Sequence, residues 1–494
     1  MRTNYSIRII FIMMMMTLGL SSCEKFLDNA PMSEATSGNA YRTASDLDAA
    51  LVGAYQTFYT EYFIWEYFVV SDVRSDNAYA GGDADEIYQY DDLDISPLNS
   101  RILGTWQQLY NGISRANLVI GKATEVQDPA LDVNNRRENL IAEAKFLRAL
   151  FYYELVRQFR EVPIVTAYAK INPEDANIKK SPELEVYNFI VKDLEDATIL
   201  PATYSSSSLS QSKATKGAVY ALLAKVWAQR PDRDYNKVLQ YAEEVERLGY
   251  DLHSSFDELF DGTHYDNKES ILLIQFKEGT NQSNWGPQML LPSSLSGDDW
   301  RKYITPSKDL VKAFDDAGDH IRKDASILFD DADWSDEFWK PCPTAGQIPF
   351  AYKFRHASGW MSGDHIYILR FDDILLLKAE ALNALGRSAE ALTPLNKVRD
   401  RVDLPALDIQ NKDALLRAIL NERRLEFAFE GDRWYSLQRT GMLKSTMDNL
   451  KEYRLICGGN STLMNYGMND NRVWLPIPQS ELNRNPNLVQ NPGY

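Results

Sequence analysis

The sequence predicts a mostly α-helical protein in which helical hairpins form a scaffold carrying an inserted loop-rich region. Three observations lead there. Apolar residues recur at helical spacing over long stretches, most clearly at Leu140, Ala144, Leu147, Phe151 and Leu155. Two stretches, residues 62–94 and 279–363, lose that period and collect aromatic, Gly and Asp residues instead. The chain of 494 residues is 44% hydrophobic and 25% charged, enough for a large core, and it lacks the fixed repeat period of a regular solenoid.

Residues 43–59 read as a helix capped by Ser45, with Leu47, Leu51, Ala54, Tyr55 and Phe58 on one face. Residues 62–94 mix Trp65, Tyr67, Tyr79, Tyr88 and Tyr90 with Gly81-Gly82 and many Asp, and read as a long loop with short strands or turns. Residues 103–122 are helical through Trp106, Leu109, Tyr110, Ile113 and Asn117. Residues 135–159 are the clearest helix, stopped by Pro163. Helices at 182–199 and 213–229 follow, with a flexible connector at Ser205–Ser208 between them. A shorter helix at 235–248 is ended by Gly249, and Ser270 to Phe276 reads as a strand. Residues 372–385 and 389–401 form a helical hairpin. Its Leu385-Gly386 turn, followed by Ala389, Ala391 and Leu392, resembles a tetratricopeptide unit, where small residues let two helices approach. Residues 412–438 are the last long helix, and residues 472–494 are an extended tail rich in Pro and Asn.

The amino terminus carries Arg2 and Arg8, then an apolar run over residues 9–20, then Leu20-Ser21-Ser22-Cys23. A charged region, an apolar region and small residues at a cut site make a secretory signal. The run is shorter than the roughly 20 residues that span a bilayer. The segment ending in Cys23 resembles the lipobox of bacterial lipoproteins, which implies cleavage before Cys23 and acylation of its thiol and new amino group. Several acyl chains on one residue anchor stably, where one is marginal. An ordinary secretory signal with a chance Cys is the plainer alternative. Residues 24–31 read as a short extended tether.

A formal net charge of -17 repels nucleic acid and disfavours electrostatic binding to anionic lipid, so membrane attachment should rest on the lipid anchor. Neutral or cationic ligands are easier to accommodate than polyanions. Apart from Cys23 there are only Cys342 and Cys457, too few for a thiolate zinc site; one disulfide and two packed thiols both remain open.

Four segments in order resemble the SusD/RagB family of outer-membrane nutrient-binding lipoproteins. They are Cys23-Glu24-Lys25-Phe26-Leu27-Asp28 with Pro31; Ala142 to Ala149, continuing through Tyr152-Tyr153-Glu154 to Val162-Pro163; Thr215 to Lys225; and Glu422 to Arg439. The ending Leu475-Pro476-Ile477-Pro478, with Asn485-Pro486-Asn487 and Asn491-Pro492-Gly493-Tyr494, is also similar. The resemblance implies a lipoprotein signal peptide at 1–22, an N-terminal region at 23–230 and a RagB/SusD C-terminal region at 231–494, the last two forming one body. It further implies a palmitate-type anchor and an outer-membrane location facing the cell exterior. The implied partner is a SusC-type TonB-dependent transporter that the protein covers like a lid, passing oligosaccharide to it without catalysis. A peptide ligand is the alternative within the family.

Glu422, Glu426 and Glu430 stand four apart on one helix stripe. Arg423 and Arg433 are placed to pair with them locally, and Arg399 and Arg401 to face them from the preceding hairpin. A metal site would need His or further carboxylates from partner helices, and no Glu-x-x-His pairs occur, so the stripe reads as an ion network.

A sugar site needs flat aromatic faces for C–H surfaces and polar side chains for hydroxyls. The candidate ligand-binding residues are Trp65, Tyr67, Asp76, Asn77, Tyr79, Trp285, Trp300 and Trp360, all in the loop-rich parts. Asp72, Arg74, Asn284, Asp298 and Arg301 are further polar partners, and Ser71 to Asn77 is the densest polar cluster. Trp106 and Trp434 lie on helical faces and read as core, while Trp334 and Trp339 lie in an acidic segment and stay open. No phosphate-binding loop, dinucleotide fingerprint, nucleophile elbow or His-Glu-x-x-His is present. Asp331-Ala332-Asp333 begins like a calcium loop but lacks its Gly and Glu; no cofactor is expected, and bound calcium elsewhere stays compatible with so acidic a chain. A surface glycoside hydrolase has no positive signal, because among 70 Asp and Glu some carboxylate pair always exists. An adhesin is the remaining class.

Overall fold

The computed structural model describes residues 40–166, 168, 177–341, 346–456 and 460–494. The signal at 1–22, Cys23, the tether at 24–31, Cys342 and Cys457 lie outside the described residues.

Helix α1 (Ala44–Tyr55) starts at a capping box. The Thr43 hydroxyl accepts from Asp46 N at 3.2 Å, and the Asp46 carboxylate accepts from Thr43 N at 2.9 Å. The cap is therefore Thr43; Ser45 lies inside the first turn. Helices α2 (Ser100–Glu125) and α3 (Arg136–Phe159) pack side by side. They approach closely at Gly112, where a Cβ would crowd the Phe151 ring. The α3 helix ends at Arg160, with φ at 68°, before Pro163 is reached. Helix α4 (Glu183–Asp196) is tied to α3 by Arg148, which donates to both Asp193 oxygens at 2.7 and 2.8 Å. Helices α5 (Lys216–Gln229), α6 (Tyr235–Arg247), α7 (Phe371–Ala384) and α8 (Ser388–Asp400) stack in succession. Gly386, with φ at 79°, makes the α7–α8 turn. This is the mostly helical, tetratricopeptide-like scaffold expected from the sequence.

Several segments differ from expectation, among them a helix at Lys308–Ala317 inside the stretch read as loop-rich. Ser205–Ser208 is no free connector: Ser206 caps a short helix at Ser207–Ser212, its hydroxyl accepting from Leu209 N. The last long helix is two, α9 (Lys412–Glu426) and α10 (Arg433–Thr440). The chain breaks between them because Phe429 and Gly431 adopt φ of 62° and 75°, outside the helical region. Residues 62–73 are two π-helical turns, Tyr62–Glu66 and Val69–Val73, with every residue buried. A segment buried on all sides has no solvent-facing polar side, so it shows no amphipathic period.

Among the described residues, sheet is confined to four two-stranded antiparallel ladders. Strand β1 (Ala78–Ala80) and strand β2 (Ser270–Ile274) are followed by β3 (Ile304–Pro306), β4 (Ile327–Asp331), β5 (Gln347–Ala351), β6 (Ile366–Arg370), β7 (Tyr453–Ile456) and β8 (Asn460–Leu463). The β1–β3 ladder matters most, pairing Tyr79 with Thr305. It joins the two loop-rich stretches, and Ser307 adds bonds to Asn77 O at 2.9 Å and Asp76 O at 2.6 Å.

The carboxylate stripe is answered from distant elements. Arg322 bonds Glu422 at 2.6 Å and Glu426 at 2.8 Å, Arg399 bonds Glu422 at 2.7 Å, and Arg401 bonds Glu426. Arg370 reaches Glu269 at 2.9 Å and Glu430 at 2.8 Å. The local pairs fail. Arg423 turns to Asp373 and Asp432 instead, and Arg433 to Asp76. Further carboxylates do occur: those of Glu269, Asp372 and Glu426 converge. Arg370, Arg401 and Arg322 supply the positive charge there. Burial works to raise Glu426, yet these three guanidiniums hold its carboxyl well below the usual range.

Candidate functional site

Five aromatic rings form a ladder in the joined loop region. The Trp65 ring lies 6.2 Å from Trp285, edge to face, and 5.7 Å from Tyr303. Tyr303 lies 5.4 Å from Trp300, and Trp300 lies 6.3 Å from Trp360 with their planes only 19° apart. Exposure grows along the ladder: Trp65 is 1% exposed, Trp285, Tyr303 and Trp300 are half-buried, and Trp360 is 43% exposed. The buried end anchors the rings, and the open end presents exposed Trp360 beside half-buried Trp300.

The open end rests on an unusual turn. Ser358, Gly359 and Trp360 all have positive φ, at 46°, 59° and 73°. Left-handed geometry costs a non-glycine residue about 1–2 kcal/mol, and such strain gathers where a side chain must be presented. Hydrogen bonds hold the turn: Trp360 N donates to Gln288 Oε1 at 3.3 Å, and Gly279 N donates to Met361 O at 3.1 Å. Buried Gln288 also donates to Ser296 O at 2.7 Å and Asp298 at 2.6 Å. Asn284 pins the Trp285 loop, exchanging backbone bonds with Ser362 at 2.8 and 3.0 Å and accepting from Gly286 N at 2.8 Å.

Two cations back the rings. Lys302 Nζ lies 4.0 Å from the Trp300 ring centre and donates to Ser296 Oγ and Asp298 O, both at 3.2 Å. Burial lowers its ammonium to about 8. The Arg101 guanidinium lies 4.8 Å from the Trp65 ring centre and pairs with buried Glu66, whose carboxyl burial pushes up to about 7.

Of the residues expected to bind ligand, the structure brings Trp65, Trp285, Trp300 and Trp360 together in this ladder, but Trp65 is its buried anchor and offers no face to a ligand. Tyr67, Asp76, Asn77 and Tyr79 are buried away from it and correct the sequence reading. The Tyr67 ring packs against Phe68 at 4.1 Å. Asp76 is bound by Arg424 and Arg433. Asn77 donates to Asp72 at 2.8 Å and accepts from Arg424 at 2.9 Å. Tyr79 donates to Asp336 at 2.6 Å. Asp72 accepts from Gly431 N at 3.0 Å, and Arg74 stacks 4.0 Å over Trp434. The Ser71–Asn77 cluster is thus a buried joint, since Asp72, Asp76 and Asn77 are bound by partners hundreds of residues away. Trp106 and Trp434 are core, as read, and Trp334 and Trp339 are half-buried. Tyr303, Arg101, Gln288 and Lys302 were missed. Only Tyr303 had a sequence signal, an aromatic three residues after Trp300.

Comparisons with known proteins agree with this architecture. Residues 268–494 match the family described as "SusD family", and residues 25–227 match one described as "Starch-binding associating with outer membrane". The chain is 30% identical to "SusD-like protein P2" of Formosa agariphila, over 99% of each chain. It is 24% identical to "Starch-binding protein SusD" of Bacteroides thetaiotaomicron, covering 83% of this chain and 81% of that one. Among solved structures it is similar to a "Laminarin binding SusD-like protein", with TM-score 0.73 and 26% identity over 91% of this chain and 99% of that one. Similarity to "Surface glycan-binding protein A" of Bacteroides fluxus, with TM-score 0.74 and 22% identity over 93% of this chain and 100% of that one, speaks for the fold alone.

Proposed function

This chain belongs to the SusD family, and on that premise we propose that it is a lipid-anchored glycan-binding protein of the outer membrane, facing the cell exterior. It delivers oligosaccharides to a SusC-type TonB-dependent transporter and makes or breaks no bonds itself. The nearly parallel pair of half-buried Trp300 and exposed Trp360 carries the reading. Aromatic faces match the C–H surfaces of sugar rings, and rigid rings lose little entropy on contact. Trp285 and Tyr303 continue the surface inward, and the acidic body suits a neutral glycan over a polyanion. The named ligands of the similar proteins, starch and laminarin, are neutral glucans and guide the choice of probes.

Titration calorimetry of the body lacking residues 1–22, with Cys23 replaced, tests this against laminarin oligosaccharides, maltoheptaose and a peptide library. Binding to a glucan, weakened roughly tenfold by Trp300→Ala or Trp360→Ala, is expected; that is about 1.4 kcal/mol. Binding of peptides alone, or ladder variants that bind glucan like the parent, would overturn it. Co-purification from the native membrane tests for a barrel partner.

A further inference from the structure

A polar crevice of about 140 Å³ opens at the first turns of α2, lined by Glu61, Glu66, Ser100, Arg101, Thr105 and Gln108, with Gly104 in its wall. It adjoins the buried end of the ladder. Trp65 Nε1 donates to Glu61 at 3.3 Å, and Arg101 lies over the Trp65 ring. Arg101 is also close enough to act electrostatically on the Tyr303 hydroxyl.

Three features mark the crevice as built for a ligand. Glu66 is 2% exposed, and one of its carboxylate oxygens, Oε2, has no partner among the described residues; neither has the Thr105 hydroxyl, 1% exposed, nor Arg101 Nε. Buried polar atoms are almost always paired, so three along one crevice call for a hydrogen-bonding guest. Gly104 stands inside a helix, where it is less favourable than Ala by up to about 1 kcal/mol. A Cβ there would meet nothing nearer than Gln108 Nε2 at 3.7 Å, so the glycine keeps the space clear and relieves no clash. The chemistry is also specific: a carboxylate acceptor beside a guanidinium donor, with an amide and a hydroxyl, suits adjacent hydroxyl groups.

We propose that this crevice is a second, polar subsite that takes the hydroxyl-bearing end of a neutral glycan whose rings lie on the ladder. The proposal rests on the glycan-binding reading and adds Glu66, Arg101 and Thr105 as residues that read hydroxyl positions. The aromatic end supplies contact area, and the crevice supplies selectivity, because a guest lacking the hydroxyls would leave buried polar groups unpaired.

The test is a space-filling variant that favours folding. Gly104→Met occupies the crevice and improves helix propensity, and Thr105→Val removes the hydroxyl at nearly constant shape. Calorimetry uses laminarin oligosaccharides and maltoheptaose, with thermal unfolding of each variant and Trp300→Ala in parallel. Gly104→Met should melt no lower than the parent and bind the preferred glucan at least tenfold more weakly, with Thr105→Val also weakened and Gly104→Ala in between. If Gly104→Met binds like the parent while Trp300→Ala is impaired, the crevice is no subsite and the ladder reading survives. If neither glucan binds the parent, or Trp300→Ala is also silent, both readings fall.

Discussion

Arg433 grips Asp76 with two parallel hydrogen bonds, Nε to one carboxylate oxygen and Nη2 to the other, each 2.7 Å long. The pair locks α10 to the segment leading into β1, and through β1–β3 it fixes where the ladder stands. Both partners are buried, and Arg424 adds a second cation to the same carboxylate at 3.3 Å.

Arg433→Ala should therefore destabilise the fold by about 3 kcal/mol, because it leaves the buried Asp76 carboxylate with the longer Arg424 contact alone. Arg433→Lys should recover only part of this, since an ammonium cannot reproduce the fork. Urea denaturation measures both. A loss below about 1 kcal/mol, the usual value of an exposed pair, would show that the joint is unimportant.

Gly431 and Gly386 separate backbone strain from collision. Both have positive φ, 75° and 79°, but a Cβ at Gly431 overlaps the Tyr67 ring while one at Gly386 meets nothing within 4 Å. Gly386→Ala should cost about 1–2 kcal/mol from left-handed geometry alone. Gly431→Ala should cost clearly more. Equal losses in thermal or chemical unfolding would refute the close approach.

The ladder should split into a structural and a presenting end. Trp65→Ala removes a ring that is 1% exposed and should cost about 3–5 kcal/mol. Trp360→Ala should change stability by no more than about 0.5 kcal/mol while weakening glucan binding. Denaturation midpoints beside calorimetric affinities check the split.

Stability should peak on the acid side of neutrality. Burial pushes the Glu66, Asp72 and Glu452 carboxyls up to about 7. A carboxyl raised above its unfolded value binds its proton more tightly in the fold, so its contribution declines as pH climbs from its unfolded value toward 7. Asp76 has the opposite sign. Burial opposes its charge, but Arg424 and Arg433 hold it at about 2, so its stabilisation is present above 3.8 and lost as pH falls toward 2. Urea midpoints should rise from pH 7.5 to about 5.5 and drop below about 4. A steady decline from pH 7.5 downward would contradict this balance.

Much of the scaffold was legible because amphipathic helices write their own period. The stripe Leu140, Ala144, Leu147, Phe151 and Leu155 located α3 to within a residue at its start, and Gly386 marked the α7–α8 turn. Residues 62–73 escaped because burial on every side erases the polar face that makes a helix readable. The split between α9 and α10 escaped because Phe429 takes a left-handed conformation that no propensity favours.

The sequence by itself determined the fold class, the helical hairpins, the acidic surface and which tryptophans lay outside regular helices. It could not tell Asp76 and Asn77, consumed by Arg424 and Arg433, from polar groups free to meet a ligand. Nor could it join Trp65 to Trp285 across a separation of over two hundred residues, or place Arg101 over Trp65. Periodicity is a local property, set by which face of an element is buried. Whether a polar or aromatic side chain is spent or available depends on which distant elements pack against it, and the tertiary structure alone decided that.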